Sequence, residues 1–370
     1  MMTITNVQTG VMMNGKQMKE IKKMVTGYKT RDIAPIFQNV KFQFDSEGLT
    51  VTVIHLNYEL TKYIDVVTTG SGSFLVPLDT IKKLKNIKNN DVFAFNIIDT
   101  NKIELTQNGM KKIIATDNVE NFPVENNDPF EYVSGVKYDD ILKLNKALLS
   151  VAKTETRPIL QHVLVRNGHI YSTDSHRLFG TETNIKHDND IIITNDGIKY
   201  LKFMFDKKMV ISVFINDEFI KFENTDNKVL LKLYNDGKYP ELSRLIPNND
   251  NTNFTVDKKT LYNIVENATT IVKDYKNCVI KFEINTSDNT LTVKSINYDD
   301  GSIFENKVNL DMTNGENLTI SFNGQYLLDG LKQVESDRVY LRFIGNIRPF
   351  TIQNINSENE LALILPVRRF

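Results

Sequence analysis

Pro35-Ile36-Phe37-Gln38-Asn39-Val40 returns 123 residues further on as Pro158-Ile159-Leu160-Gln161-His162-Val163. That offset is one third of the 370-residue chain, and Arg31 and Arg157 stand just upstream of the two copies. A third register, Cys278-Val279-Ile280-Lys281-Phe282, follows without the proline. A repeat at fixed spacing means one structural unit used several times, so it constrains the fold before any single element does.

Working outward, each copy is preceded by apolar residues at helical spacing: Met18, Ile21 and Val25; Ile141, Leu144, Leu148 and Val151; Leu261, Ile264, Val265 and Ala268. Each is followed by period-two runs such as Leu49 to Ile54 and Leu291 to Ile296. A second helix-like stretch lies inside each third, at 77–90 (Leu78, Ile81, Leu84), 196–208 (Ile198, Leu201, Phe205) and 323–335 (Tyr326, Leu327, Leu331). Strands such as Val210 to Ile215 and Val339 to Phe343 come next. Every third reads as helix, strands, helix, strands, an α+β pattern. The stretches from Asn121 to Pro129 and from Tyr239 to Asn253 are turn-rich and weakly periodic, as linkers are. Three similar domains are expected, at 1–126, 127–251 and 252–370. Three unrelated α+β domains of similar size are the competing reading, and the shared proline motif speaks against it.

The lone Cys278 excludes an internal disulfide framework and a multi-cysteine zinc site. The start, MMTITNVQTGVMMNGK, lacks the basic and apolar regions of a signal peptide, and no apolar run approaches a membrane span. A cytoplasmic protein without membrane partners is expected. The net charge of −1 conceals a sorting. Across 13–31, 77–90, 137–153, 196–208, 257–273 and 323–335, Lys and Arg number 22 against 10 Asp and Glu. The remainder holds 23 against 36. Lys16, Lys19 and Lys23 recur at helical spacing, as do Lys143, Lys146 and Lys153; Lys82 with Lys85 and Lys199 with Lys202 are i,i+3 pairs. If the helices line a common side, that side is positive and suits duplex DNA, through sequence-blind, salt-sensitive phosphate contacts. Lysines solvating exposed helix faces are the plainer reading.

No P-loop, G-x-G-x-x-G, H-E-x-x-H or EF-hand loop is present, and the five histidines show no metal-ligand spacing. No cofactor and no metal are implied. The one dense polar cluster is Thr173-Asp174-Ser175-His176-Arg177-Leu178. Neighbouring side chains on an extended segment point to opposite faces, so Ser175 and His176 do not readily form a nucleophile–base pair. A local turn network or a binding rim are the readings that remain.

That cluster, preceded by Glu155-Thr156-Arg157-Pro158-Ile159-Leu160, closely resembles the bacterial β sliding clamp family, the processivity subunit of DNA polymerase III. Leu363-Ile364-Leu365-Pro366-Val367-Arg368-Arg369-Phe370, Gly345-Asn346-Ile347-Arg348-Pro349-Phe350, and Tyr239-Pro240 with Arg244-Leu245-Ile246-Pro247 are similar to the same family. The resemblance spans the chain and is weakest over the first 30 residues.

It implies three domains of DNA-clamp topology, with helices lining a channel and antiparallel sheets outside. Two copies would close head-to-tail into a homodimeric ring that tethers replication enzymes to duplex DNA without catalysing a reaction. It implies a peptide pocket between domains two and three, formed by Leu160, Thr173, Ser175, His176, Arg177, Leu178, Pro240, Arg244, Leu245, Tyr326, Ile347, Pro349, Leu363, Ile364, Leu365, Pro366, Val367 and Arg368. The expected occupants are the replicative DNA polymerase, the clamp loader and other proteins with a clamp-binding motif. Arg31 matches a channel residue, and Lys19, Lys23, Lys82, Lys85, Lys143, Lys146, Lys199 and Lys202 are the further DNA candidates. At the dimer contact Leu84 and Ile87 would meet Ile271 and Val272, and Lys111 and Lys112 would face Asp299, Asp300 or Glu305. Several extra N-terminal residues, a lysine- and asparagine-rich composition and the ending Arg369-Phe370 depart from the family pattern, which leaves a phage or plasmid origin open. A DNA-processing nuclease using Asp174 and His176, and a repeat scaffold binding only proteins, are the alternatives.

Overall fold

The computed structural model describes residues 9–28, 34–124, 126, 128–154, 156–273 and 278–367. Arg31 and Arg368 lie outside the described residues. In the first third the elements are β1 (Gly10–Asn14), α1 (Gly15–Val25), β2 (Asn39–Asp45), β3 (Gly48–His55), β4 (Tyr58–Ile64), β5 (Val67–Thr69), β6 (Gly72–Pro77), α2 (Leu78–Lys83), β7 (Val92–Asp99), β8 (Lys102–Gln107) and β9 (Met110–Ala115). The second third gives β10 (Glu131–Val136), α3 (Tyr138–Ala147), β11 (Val163–Arg166), β12 (His169–Thr173), β13 (Arg177–Glu182), β14 (Ile191–Ile193), α4 (Asn195–Met204), β15 (Ile211–Ile215), β16 (Phe219–Glu223) and β17 (Asn227–Lys232). The last third gives β18 (Thr252–Asp257), α5 (Lys258–Val272), β19 (Val279–Asn285), β20 (Thr290–Ile296), β21 (Ile303–Asn309), β22 (Met312–Gly315), β23 (Leu318–Asn323), α6 (Gly324–Gln333), β24 (Arg338–Phe343), β25 (Phe350–Asn354) and β26 (Ser357–Ile364).

The strand orders repeat with the elements. One half-sheet runs β1-β7-β8-β9, β10-β15-β16-β17 and β18-β24-β25-β26; the other runs β6-β2-β3-β4, β14-β11-β12-β13 and β23-β19-β20-β21. Strands β5 and β22 add a short outer neighbour to β1 and β18. The half-sheets are sewn together end to end. Strand β17 pairs with β4, Val229 opposite Leu60, and β26 pairs with β13, Ala362 opposite Phe179. The corresponding strands β9 and β21 stand at the edges of their sheets.

Packing divides the chain into two compact units. One holds residues 1–141 and 196–233, the other 142–195 and 234–370. The border runs through the middle third because its two half-sheets are each hydrogen-bonded into a neighbour's sheet, one in each unit. The core of the first unit includes Phe42, stacked on Phe74 and tilted against Phe95, both at 5.2 Å between ring centres. In the second unit Leu261, Val265 and Ala268 of α5 and Leu327 and Leu331 of α6 pack with Phe254, Phe282, Phe322, Phe343 and Phe350.

All six helix-like stretches contain a helix, but two are shorter than their periodicity suggests. Helix α1 starts where a capping box predicts: the Asn14 side chain accepts from the Gln17 amide while the Gln17 side chain accepts from the Asn14 amide. Helix α2 stops at Lys83, so Leu84, Lys85 and Ile87 lie beyond it, and Lys82 and Lys85 do not share a helix face. Asn86 adopts a left-handed backbone with φ +53°, and Asn89 and Asn90 follow, residues whose side chains compete with helical hydrogen bonds. Helix α3 likewise ends at Ala147, short of Lys153. No helix among the described residues is long and apolar enough to cross a membrane.

Candidate functional site

The β13–β26 joint builds the site. Leu178 stands opposite Leu363 across it, and Arg177 opposite Ile364. Alternation along a strand puts Leu178, Leu361 and Leu363 on one face. There they form a buried cluster with Leu160, Leu164, Ile192, Tyr239 and Leu242, and Ile246 packs against it. The segment ahead of β18 is held in place by Arg166, which binds Asp190 bidentately at 2.7 and 2.6 Å. The same guanidinium reaches the Tyr239 and Pro240 carbonyls, both at 3.4 Å. Its hydrogen bond holds the Asp190 carboxyl below the usual carboxylate range against the opposing effect of burial.

Beside this apolar floor the rim is open. Leu245, Ile347 and Leu365 are exposed by 51, 58 and 36%. Pro240, Arg244, Ser175 and His176 are exposed too, and Thr173 is buried. The Leu365 amide donates to the His176 carbonyl at 2.9 Å, and the Val367 amide to the Ser321 carbonyl at 2.8 Å, so the tail is docked through Val367. Pro366 bridges to Phe322. Pro349 precedes Phe350, which pairs with Ile364, so the Ile347–Pro349 turn sits at the same strand end as Leu365. Isolated apolar rim residues are ordinary; several beside a pre-formed apolar floor suit one or two hydrophobic anchors of a short peptide.

Arg177 locks this arrangement. It is 5% exposed, its Nε donates to Asp174 at 2.9 Å, and its Nη1 to Asp329 of α6 at 2.6 Å. Its guanidinium lies 4.4 Å from the Tyr326 ring centre, and the His176 ring is parallel to Tyr326 at 6.4 Å. Burial, with Asp174 adding, raises the Tyr326 hydroxyl, and Arg177 opposes. Asp174 also caps the turn, accepting from the His176 and Arg177 amides at 2.9 and 3.1 Å. The Thr173 hydroxyl donates to the Arg177 carbonyl at 2.6 Å, and Ser175 has φ +75°. The Thr173–Leu178 cluster is therefore a turn network around a buried arginine. Asp329 gives no local signal in the sequence, because its partner is 152 residues away.

The β17–β4 joint differs chemically. Glu59 occupies the place of Leu178, opposite Leu230, and is 5% exposed. Lys228 pairs with it at 3.0 Å, and the Asn126 amide donates to it at 3.2 Å. Tyr58 and Tyr200 join hydroxyls at 3.3 Å there. A charged pair with a buried carboxylate, touched by the Asn126 amide, replaces the apolar floor.

The basic candidates are unevenly placed. Lys23 and Lys202 line one cleft of about 490 Å³ with Lys62 and Lys207, beside Glu20, Asp206 and Asp226. Lys19 donates to Asn89 at 2.8 Å, Lys82 to the Tyr28 carbonyl at 2.8 Å, Lys199 to the Gly27 carbonyl at 3.0 Å and Lys143 to the Glu182 carbonyl at 2.9 Å. Lys85 is exposed. Lys146 is bound to Glu335 at 3.0 Å and Glu360 at 3.5 Å, so its charge is already neutralised and unsuited to a phosphate. Among the dimer candidates, Val272 is 1% exposed in the core, which removes it from a contact surface; Ile271 packs partly against that core. Leu84 and Ile87 are half-buried, and Lys112, Asp299 and Asp300 are exposed. Lys111 pairs with Glu104 and Glu305 with Lys294, both at 3.2 Å.

Residues 243–368 match the family model for the DNA polymerase III beta subunit, C-terminal domain. The beta sliding clamp of Staphylococcus epidermidis is 26% identical, with 92% of this chain and 94% of that protein covered; the Staphylococcus aureus clamp is 25% identical over the same shares. The DNA polymerase sliding clamp of Bacillus subtilis superposes with a TM-score of 0.86 at 20% identity, covering 98% of this chain and all of that one. A Pseudomonas aeruginosa sliding clamp bound to griselimycin gives 0.86 at 18% identity over 98% of this chain and all of that one.

Proposed function

We propose that the chain is a β sliding clamp of the bacterial DNA polymerase III beta subunit family, which its residues 243–368 and its relatives support, and that two copies close head-to-tail around duplex DNA and hold replication proteins there through the Leu178–Leu363 groove. It is an accessory processivity factor rather than an enzyme. The three similar divisions, 1–126, 127–251 and 252–370, are the repeating units of this reading, and the cytoplasm is its setting.

One observation carries the dimer. Of three equivalent strand joints, two are made within the chain, and β9 and β21 are the strands left to make the third. The register follows by analogy. Leu60, Phe179 and Phe304 hold corresponding positions, as do Val229, Ala362 and Lys112. Lys112 would then stand opposite the partner's Phe304, Lys111 opposite the partner's Glu305, and Ile113 opposite the partner's Ile303. Glu104–Lys111 and Glu305–Lys294 pairs already flank those edges. The new pair would extend them into a ladder of alternating sign.

DNA contacts fall to Lys23, Lys202 and Lys85, with Lys19, Lys82, Lys143 and Lys199 beside them and Arg31 as the family match. Sequence-blind phosphate contacts allow sliding, and topology rather than affinity provides retention. Polymerase, clamp loader and other proteins with a clamp-binding motif would share the groove, for which Arg368 is a further family match. The deciding experiment loads the protein onto nicked circular DNA with a clamp loader. Retention on the circle, followed by release when the circle is cut, is expected. A protein that stays monomeric at micromolar concentration and leaves closed circles as fast as linear DNA would overturn the reading.

A further inference from the structure

The outer edge of the leading strand is filled in two of the three repeats and open in the third. Strand β1 is flanked by β5 and β18 by β22, whereas no strand among the described residues pairs with the outer edge of β10. The two filling strands share a pattern, Asp65-Val66-Val67-Thr68-Thr69-Gly70 in one and Asp311-Met312-Thr313-Asn314-Gly315 in the other. Both run antiparallel to their host. Val67 stands opposite Met12 and Thr68 opposite Val11; Met312 stands opposite Thr255 and Thr313 opposite Phe254. Both finish at a glycine with left-handed φ, +73° at Gly70 and +95° at Gly315. The corresponding connection of the middle repeat, 183–190, is engaged otherwise: the Thr183 amide donates to the Gly168 carbonyl at 2.8 Å, and Arg166 holds Asp190.

Position by position, the open edge has what a third such strand needs. Met12, Gly135 and Thr255 correspond, as do Val11, Ser134 and Phe254, because each set pairs alike with β7, β15 and β24. The Ser134 hydroxyl is buried without a hydrogen-bond partner. Thr68 and Thr313 stand opposite that position in the other repeats, and a buried hydroxyl calls for such a cross-strand partner. On the other face of the strand, Val210 and Tyr132 are 69 and 60% exposed. A Cβ at Gly135 would lie 3.4 Å from the Val210 Cγ1 and 3.6 Å from the Tyr132 hydroxyl. Val210 corresponds to Val92, which lines one cleft with Met12 and Val67. An apolar side chain opposite Gly135 would cover Val210 in the same way. Charge fixes the adjoining end. Arg338 binds Asp311 at the start of β22. At the matching end of β10, exposed Lys137 follows the strand and exposed Lys208 precedes β15, while the Asp206 carboxylate accepts from the Lys208 amide.

We propose that the outer edge of β10 is a second docking site, built from none of the residues of the Leu178–Leu363 groove, for an extended segment of a partner protein. The segment carries an acidic residue, an apolar residue, threonine, and threonine or asparagine, in that order, and runs antiparallel to β10. Its apolar side chain lies over Gly135 beside Val210 and Tyr132, and its threonine hydroxyl meets Ser134. Main-chain hydrogen bonds hold such a strand, and the alternate side chains select it. The probe is a fluorescent peptide of residues 309–317, titrated with the full-length protein, and saturable binding is expected. Tyr132→Ser/Val210→Ser, at exposed positions, should weaken it about tenfold with the urea midpoint unchanged. Ser134→Val, the residue type of Val11, should weaken it about fivefold, the net worth of one hydrogen bond. With a peptide carrying Thr313→Val, the Ser134→Val effect should fall below about twofold, since the pair is already broken. Equal affinity for every variant, or no saturable binding up to millimolar peptide, would overturn the proposal. So would peptide-free protein heavier than a dimer that Tyr132→Ser/Val210→Ser returns to the dimer mass, which would give the edge to a further copy of the chain. None of these readouts needs a closed ring, so failure here leaves the dimer reading standing.

Discussion

At the scale of single residues, Arg177 shows how one buried charge sets the shape of a candidate binding site. Its guanidinium joins the Asp174 turn on β13's leading edge to Asp329 on α6, with Tyr326 against its face. Removing one partner of a buried ion pair leaves a desolvated charge, which costs more than the pair contributes. Asp329→Ala should therefore destabilise by about 3 kcal/mol, read as a lower urea midpoint for the transition of residues 142–195 and 234–370, and weaken capture of a clamp-binding peptide. A loss below about 0.5 kcal/mol, the usual scatter of a surface change, would mean that Asp174 alone satisfies the arginine. In the other joint the corresponding residue is Tyr58, which meets Tyr200. The polar cluster at 173–178 was conspicuous in the sequence, but its purpose was not. Local order shows Asp174 beside His176, whereas the fold gives Asp174 to the backbone and to Arg177.

At the scale of elements, the strands were legible from alternation and the helices from apolar spacing, while helix ends were set by chemistry that periodicity ignores. Helix α2 ends early at Lys83, ahead of a left-handed Asn86, and that moves Lys85 off the face it would have shared with Lys82. Edge strands tell more than buried ones. Strand β9 exposes Met110, Lys111, Lys112 and Ile113, and β21 exposes Ile303 and Glu305. Unpaired edges of this kind invite another strand. Opposite charges on facing strands contribute roughly 0.2–1 kcal/mol. Lys111→Glu and Glu305→Lys should each weaken the dimer about fivefold at low salt, and the two together should recover most of the loss. Additive losses in the double variant, measured by sedimentation, would show that the two side chains do not face each other.

At the scale of the whole molecule, function rests on one repeat used three times with different chemistry at each joint. Glu59 closes the first joint with a charge, Leu178 opens the second as an apolar floor, and Ile303 stands exposed on the edge strand to which the proposed third joint falls. Sorting of charge into the helix-bearing stretches has the same reach. Charge reversal of Lys23 and Lys202 should lower affinity for a short duplex. Each lost phosphate contact should flatten the slope of log K against log salt by about 0.9, leaving dimer mass and peptide capture unchanged. An unaltered slope would remove that cleft from the DNA face.

The sequence alone determined the threefold pattern, because a repeated motif and a period of hydrophobicity are local properties that survive without any long-range contact. It also named candidate groove residues through a resemblance to a family. Only tertiary structure decided which lysine charges are paired with carboxylates, which carboxylate holds Arg177, and which strand edges are closed. Those outcomes depend on partners far apart in the chain, such as Lys146 with Glu360 or β13 with β26. Burial and pairing are properties of proximity in space, and linear order does not encode them one residue at a time.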